Sequence, residues 1–148
     1  MAGPEKNLYK SVKEKLKDLH PIRIETTTFN GFPDLILFNK FGEALFVECK
    51  VCESSNLFRS LRPHQKAFHH KYSKIMNGIF ILQRCLSDRK VFLYRSSELN
   101  FLDEKNHIEP LAVDDYASKW RAIYAQLKNV SLNVVGRWPW NRVILKNG

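Results

Sequence analysis

Residues 31–51 read GFPDLILFNKFGEALFVECKV, and the placing of the polar residues in this run decides how the chain folds. Pro33 to Phe38 is mostly apolar, Asn39-Lys40-Phe41-Gly42 carries turn chemistry, and Ala44 to Val51 is a second apolar run. That pattern predicts two strands joined by a tight turn. Charge interrupts the strands at three positions only: Asp34 opens the first, and Glu48 and Lys50 sit two apart on the second. A period of two places Glu48 and Lys50 on one face and Val47, Cys49 and Val51 on the other. The hairpin then brings Asp34 close to Glu48.

Two carboxylates converging beside an ammonium on an apolar sheet cost several kcal/mol unless something compensates the buried charge. A divalent cation does so, and oxygen-only ligands favour a hard ion, Mg2+ or Mn2+. Such an ion polarises a phosphoryl oxygen and generates hydroxide, with the lysine orienting that water or neutralising developing charge. For a lone Glu-x-Lys, patterning alone favours a plainer reading, a half-buried strand whose Glu and Lys face solvent. Here the surrounding sequence favours the site.

Pro33-Asp34, followed about a hairpin's length later by Glu48-Cys49-Lys50, resembles the PD-(D/E)XK nuclease superfamily. Gly31-Phe32-Pro33-Asp34-Leu35, the Val47-Glu48-Cys49-Lys50-Val51 strand and Leu61-Arg62-Pro63-His64-Gln65 together look like the VRR-NUC family. The small stand-alone members of that family are similar to Holliday-junction resolvases. The resemblance spans roughly residues 5 to 95, and its specificity comes from the order of short motifs. It implies a restriction-endonuclease-like fold and a divalent-metal-dependent endonuclease, with Asp34, Glu48 and Lys50 catalytic and branched DNA as substrate. It also implies a third metal ligand on the first helix, a role that falls to Glu5, and a site contact by Gln65.

Composition sets outer bounds. The 148 residues fit one domain, with no repeat, low-complexity tract or Pro/Gly/Ser-rich linker. No apolar run approaches the roughly 20 residues of a transmembrane helix, and the polar N-terminus is unlike a secretory signal. The expected location is the cytoplasm, a host cell's if the chain is viral, or the nucleus if it is eukaryotic. Three cysteines agree with a reducing compartment. Cys49-x-x-Cys52 has no second pair to complete a zinc site, and on a continuing strand its thiols point to opposite faces. Structural thiols are the expectation.

The 24 basic and 15 acidic residues leave a net charge of +9. Most of the excess lies between residues 59 and 95, which hold nine basic residues and one acidic. A basic segment beside an acidic metal site suits a phosphodiester substrate, because the protein must hold a polyanion while carboxylates hold the cation. Arg59, Arg62 and Lys66 are the expected phosphate contacts. His69 joins them: His69 and His70 diverge by about 100° on a helix, which speaks against a shared zinc and for phosphate contacts or solvated side chains.

Along the chain, Pro4 suits a first helical position, and Leu8, Val12, Leu16 and Leu19 share one face of a helix from Glu5 to Leu19. Glu5 falls within that apolar arc, which makes it the first-helix carboxylate of interest; its other reading is a first-turn glutamate favoured by the helix dipole. Ile22 to Phe29 predicts a strand, Glu53 to Leu61 a loop, and Pro63 the start of a helix ended by Asn77-Gly78, with Phe68, Tyr72, Ile75 and Met76 on one stripe. Gln65 lies on that stripe, either contacting the site or bonding backbone groups at the helix start. Ile79 to Cys85 and Val91 to Arg95 complete an α-β-β-β-α-β-β core, an α/β mixed sheet flanked by helices.

Beyond Ser96 an α-helical extension is expected, with Asp114 to Leu127 helical and Tyr116, Trp120, Ile123, Tyr124 and Leu127 on one face. Most such stripes are simply core; because three of the five residues are aromatic, the other reading is a partner surface, and a homodimer would suit two-fold junctions. Arg137-Trp138-Pro139-Trp140-Asn141-Arg142 interleaves indoles with guanidinium groups, as for stacking on unpaired bases, for an interface, or equally for packing against the domain. Against the metal-dependent endonuclease stand a non-catalytic nucleic-acid-binding module of the same fold, a nickase or exonuclease on linear or single-stranded nucleic acid, and a protein-interaction domain built on the aromatic last third. The combination of Asp34, Glu48 and Lys50 favours the endonuclease, because a binding module has no need of all three.

Overall fold

A computed structural model describes residues 3–26, 28–57, 61–100 and 108–132. Arg59 and the segment from Arg137 to Arg142 lie outside these residues. The fold is mixed α/β, with one six-stranded sheet and three α-helices among the described residues.

Helix α1 (Pro4–Lys15) has Pro in its first turn with Glu5, and lysines in its last, the arrangement that suits the helix dipole. A short 3-10 turn, Lys17–Leu19, follows, and His20 in the left-handed region (φ 54°) ends the helical run before Pro21. Leu8, Val12, Leu16 and Leu19 are buried, as their spacing predicts. Strands β1 (Ile22–Arg23), β2 (Leu35–Phe38) and β3 (Ala44–Cys52) form an antiparallel meander. Helix α2 (Pro63–Tyr72) carries the chain across to β4 (Ile79–Cys85), which lies parallel to β3. Strand β5 (Lys90–Arg95) and strand β6 (Ala112–Asp115) continue antiparallel, and helix α3 (Arg121–Asn129) closes the described chain. The sheet order follows the chain order, β1 to β6.

The alternation of β3 decides what lies where. Leu45, Val47 and Cys49 pack with Leu8, Val12 and Leu16 of α1 and with Trp120, Ile123 and Leu127 near α3. Glu48 and Lys50 take the opposite face, the side of α2. There a second apolar cluster of Leu57, Leu61, Ile81, Tyr94 and Leu99 fills the space beside them. Cys49 therefore belongs to the α1 core while Cys52, three residues on, accepts from the Gln83 amide on the other face.

Three expected elements differ. The strand expected over Ile22–Phe29 stops at Arg23, with one more bond from Ile24 N–H to the Asp34 carbonyl at 2.8 Å. The residue before Asp34 is Pro33, which has no N–H to extend the ladder. Helix α2 ends at Tyr72 rather than Met76, and Ile75 is exposed. The helix expected from Asp114 to Leu127 begins only at Arg121, because Ala112–Asp115 pairs with the edge of β5. Asp114 then serves the helix from outside it, its carboxylate accepting the Ile123 N–H at 2.8 Å. Trp120 sits in the left-handed region (φ 56°) with its ring fully buried and its indole N–H donated to the Tyr116 carbonyl at 2.9 Å. Burial of that ring and its hydrogen bond offset the backbone cost of about 1–2 kcal/mol. Trp120, Ile123 and Leu127 thus pack inside this one chain and supply no dimer surface. Among the described residues no helix is long and apolar enough to cross a membrane.

Candidate active site

Asp34 and Glu48 meet where β2 begins and β3 passes its midpoint. The registry Leu35↔Val47, carried one residue further, sets Asp34 opposite Glu48 across the hairpin, and Asp34 Oδ1 accepts the backbone N–H of Cys49 at 3.0 Å. The other oxygen, Oδ2, accepts the Tyr9 hydroxyl from α1. Glu48 is almost wholly buried, and its Oε1 accepts the Gln65 Nε2–H from α2. Lys50, also buried, holds its charge near both carboxyls. Four separate elements therefore converge on one pair of acids.

Burial dominates their electrostatics. It raises the Asp34 carboxyl, an effect opposed by the hydrogen bonds from Tyr9 and Cys49 and by the Lys50 charge. Glu48 is raised to about 9, first by burial and then by the neighbouring Asp34 charge, with Lys50 pulling the other way. At neutral pH the pair shares a proton, since two adjacent desolvated carboxylates resist holding two charges. The Tyr9 phenol and the Cys49 thiol, both desolvated and both beside Asp34, are pushed up as well and stay neutral.

Asp34, Glu48 and Gln65 line an open pocket of about 300 Å³ together with the loop residues Thr26, Phe29 and Asn30. Gly31 seats this loop on α2. Its φ is +85°, and a Cβ there would meet the His64 carbonyl oxygen at 2.3 Å, so only glycine fits.

Gln65 unites both readings of its position: Oε1 accepts the Arg62 N–H at 2.9 Å, capping α2, while Nε2 reaches Glu48. Glu5 is not among the residues that line the pocket of the acid pair, although its charge is felt at the Cys49 thiol. It is exposed in the first turn of α1 and lines a different pocket with Val51, Cys52 and Glu53. One turn further along the same helix, Tyr9 is the residue that reaches Asp34. Among the described residues no three His, Cys, Asp or Glu side chains are grouped so as to hold a metal ion.

His69 is buried, contrary to the expectation of a phosphate contact. Its Nδ1 lies 2.5 Å from the Ser96 hydroxyl, and desolvation lowers it to about 4, so it is neutral at physiological pH and faces the sheet rather than solvent. Arg62 is exposed at the start of α2 and Lys66 half-exposed one turn on, positions open to a polyanion. A second cationic surface comes from the tertiary structure. Lys6, Lys10 and Lys13 of α1 and Arg23 of β1 rim one pocket, and the Arg23 guanidinium stacks 4.5 Å over the Tyr9 ring. The i, i+4, i+7 spacing of the three lysines was the signal available in the sequence.

A carboxylate pair that is desolvated and mutually repelling fits a hard divalent cation, whose charge replaces the shared proton. Mg2+ is commonly held by one or two carboxylates, with water and substrate phosphate completing its shell, and Asp34 and Glu48 would be the carboxylates available here. No family model, curated protein or solved structure matches this chain.

Proposed function

We propose that the chain is a divalent-metal-dependent endonuclease that hydrolyses phosphodiester bonds of DNA, with branched DNA, including four-way junctions, as the preferred class. One observation carries the reading: Asp34 and Glu48 line one open pocket side by side, with the Lys50 charge buried beside them on the same sheet face. That charge arrangement is costly for a purely structural sheet and useful for phosphoryl chemistry. The ordered motifs that resemble the PD-(D/E)XK superfamily, and within it VRR-NUC, support it, as does a strand-helix order compatible with a restriction-endonuclease-like arrangement.

Asp34 and Glu48 would hold Mg2+ or Mn2+, which when bound supplies Lewis-acid stabilisation of the phosphoryl group. The protein's own residues do the rest. Tyr9 and the Cys49 N–H fix both oxygens of Asp34, so that its orientation does not depend on the ligand. Gln65, held from the other side by the Arg62 N–H, fixes Glu48. Lys50, whose charge acts on both carboxyls, would offset the negative charge that develops on the phosphate as the bond to the leaving oxygen lengthens.

The test is direct. A labelled four-way junction, a flap, a linear duplex and a single strand are incubated with the protein, with and without Mg2+. Internal cleavage that needs the cation and disappears in Asp34→Ala is the expected result. Binding of these substrates without cleavage under any cation would leave a nucleic-acid-binding module.

A further inference from the structure

The pocket that holds the acid pair has an aromatic wall that the proposed chemistry does not use. Phe29 is 44% exposed, although it stands beside an aromatic cluster that could bury it. Its ring centroid lies 6.0 Å from Phe32, 5.8 Å from Phe68 and 6.1 Å from Tyr72, and Phe32 in turn packs on Phe46 at 5.7 Å. These neighbours pack against the ring, and Phe29 also lines the pocket that Asp34, Glu48 and Gln65 line.

The loop fixes the ring in this position. Thr26 Oγ1 donates to the Phe29 carbonyl at 3.1 Å, and two residues on, Gly31 is locked against the His64 carbonyl. An apolar ring held half out of its cluster, beside a carboxyl pair read as holding a divalent cation, suits a ligand that brings a flat apolar face to the ring and an anionic group to the cation. A nucleotide has both, with its base as the only flat apolar surface and its phosphate within reach of the acid pair. In a continuous duplex every base face is already stacked on its neighbours, so a ring at this position engages only a base that is unpaired or splayed out.

We propose that Phe29 is a stacking platform for an unpaired nucleobase next to the scissile phosphate. The substrate is therefore single-stranded or locally unpaired at the cut, as at a flap or branch point. This rests on reading Asp34 and Glu48 as the phosphodiester site, and it deepens that reading by naming the strand state the site accepts.

The test separates stacking from cleavage. Single-stranded DNA oligonucleotides carrying 5-iodouracil at successive positions are bound to Asp34→Asn protein, irradiated, and the cross-linked peptide is mapped by mass spectrometry. Cross-linking to Phe29 from one position is expected. A second substitution, Phe29→Leu, keeps an apolar side chain against Phe32 and Phe68 and should lower that cross-link about tenfold, whereas Phe29→Trp should retain it. In the cleaving protein Phe29→Leu should lower kcat/KM on a flap about tenfold more than on a continuous duplex. No Phe29 cross-link at any position, or an equal drop on flap and duplex from a folded Phe29→Leu protein, overturns the proposal. Absence of cleavage by the unmutated protein, with the Phe29 cross-link present, overturns the nuclease reading alone.

Discussion

The Tyr9 hydroxyl donates to Asp34 Oδ2 across the gap between α1 and the hairpin. The first helix thereby touches the acid pair through a phenol rather than through the Glu5 carboxylate. A phenol gives the site a hydrogen bond without adding a third negative charge to a pair that already shares a proton. Tyr9→Phe should keep the fold and lower kcat by about tenfold or more, the worth of one hydrogen bond to a charged acceptor. Glu5→Gln should leave turnover within about twofold, as expected of an exposed first-turn acid. Steady-state kinetics of the two variants side by side check this, and the reverse order of effects would return the role to Glu5.

Removing a carboxylate should abolish cleavage without abolishing binding. Asp34→Ala and Glu48→Ala are expected to lower kcat about a thousandfold or more while retaining affinity for DNA, because the cationic surfaces lie elsewhere. Lys50→Ala should cripple turnover yet still bind Mn2+, as titration calorimetry would reveal. Full activity in either acid variant would refute the site.

Stability should depend on pH through Glu48. Its folded value, near 9, lies above the usual carboxyl value of 4.5, so the folded state holds the proton more tightly than the unfolded chain. The protonated form is fully favourable below pH 4.5, and that contribution disappears as pH rises toward 9. Glu48→Gln, which stays neutral, should therefore raise Tm at pH 8 by about 5 °C while changing it little at pH 4.5. Cation binding displaces the shared proton, so apparent Mn2+ affinity should rise by about tenfold per pH unit between pH 6 and 8. Calorimetric scans and Mn2+ titrations across that range measure both effects.

The two cationic surfaces make distinguishable claims. Neutralising Arg62 and Lys66 together, or Lys6, Lys10 and Arg23 together, should weaken DNA binding and flatten its salt dependence by about one unit of slope for each phosphate that the protein no longer neutralises. The set whose removal leaves the slope unchanged lies off the path of the strand.

Trp120 offers a check on the fold of the last third. Its ring is fully buried between the sheet and the start of α3. Trp120→Ala should cost about 3–5 kcal/mol, read by chemical denaturation. A variant as stable as the unmutated protein would mean that the ring packs elsewhere.

Local pattern alone was enough to place the acid-bearing hairpin. Strand alternation is a property of neighbouring residues, so Asp34, Glu48 and Lys50 could be assigned to faces, and α1, α2, β4 and β5 located, without knowledge of the tertiary structure. Gln65 was legible for the same reason: a polar residue on the sheet-facing stripe of a helix needs a partner. What the pattern could not supply was the identity of partners distant in sequence. Whether Glu5 or Tyr9 meets Asp34 depends on how α1 crosses the sheet, and two residues one helical turn apart share a face. His69 reads as polar in sequence, yet Ser96, 27 residues away, accommodates it in the interior. The helical period through Asp114 to Leu127 was real but local, and the open edge of β5 drew Ala112–Asp115 into the sheet instead, because unpaired backbone groups at a sheet edge offer a ladder that the helix start cannot match. Phe29, with no motif around it, acquired meaning only when the loop after β1 set its ring against the acid pair's pocket.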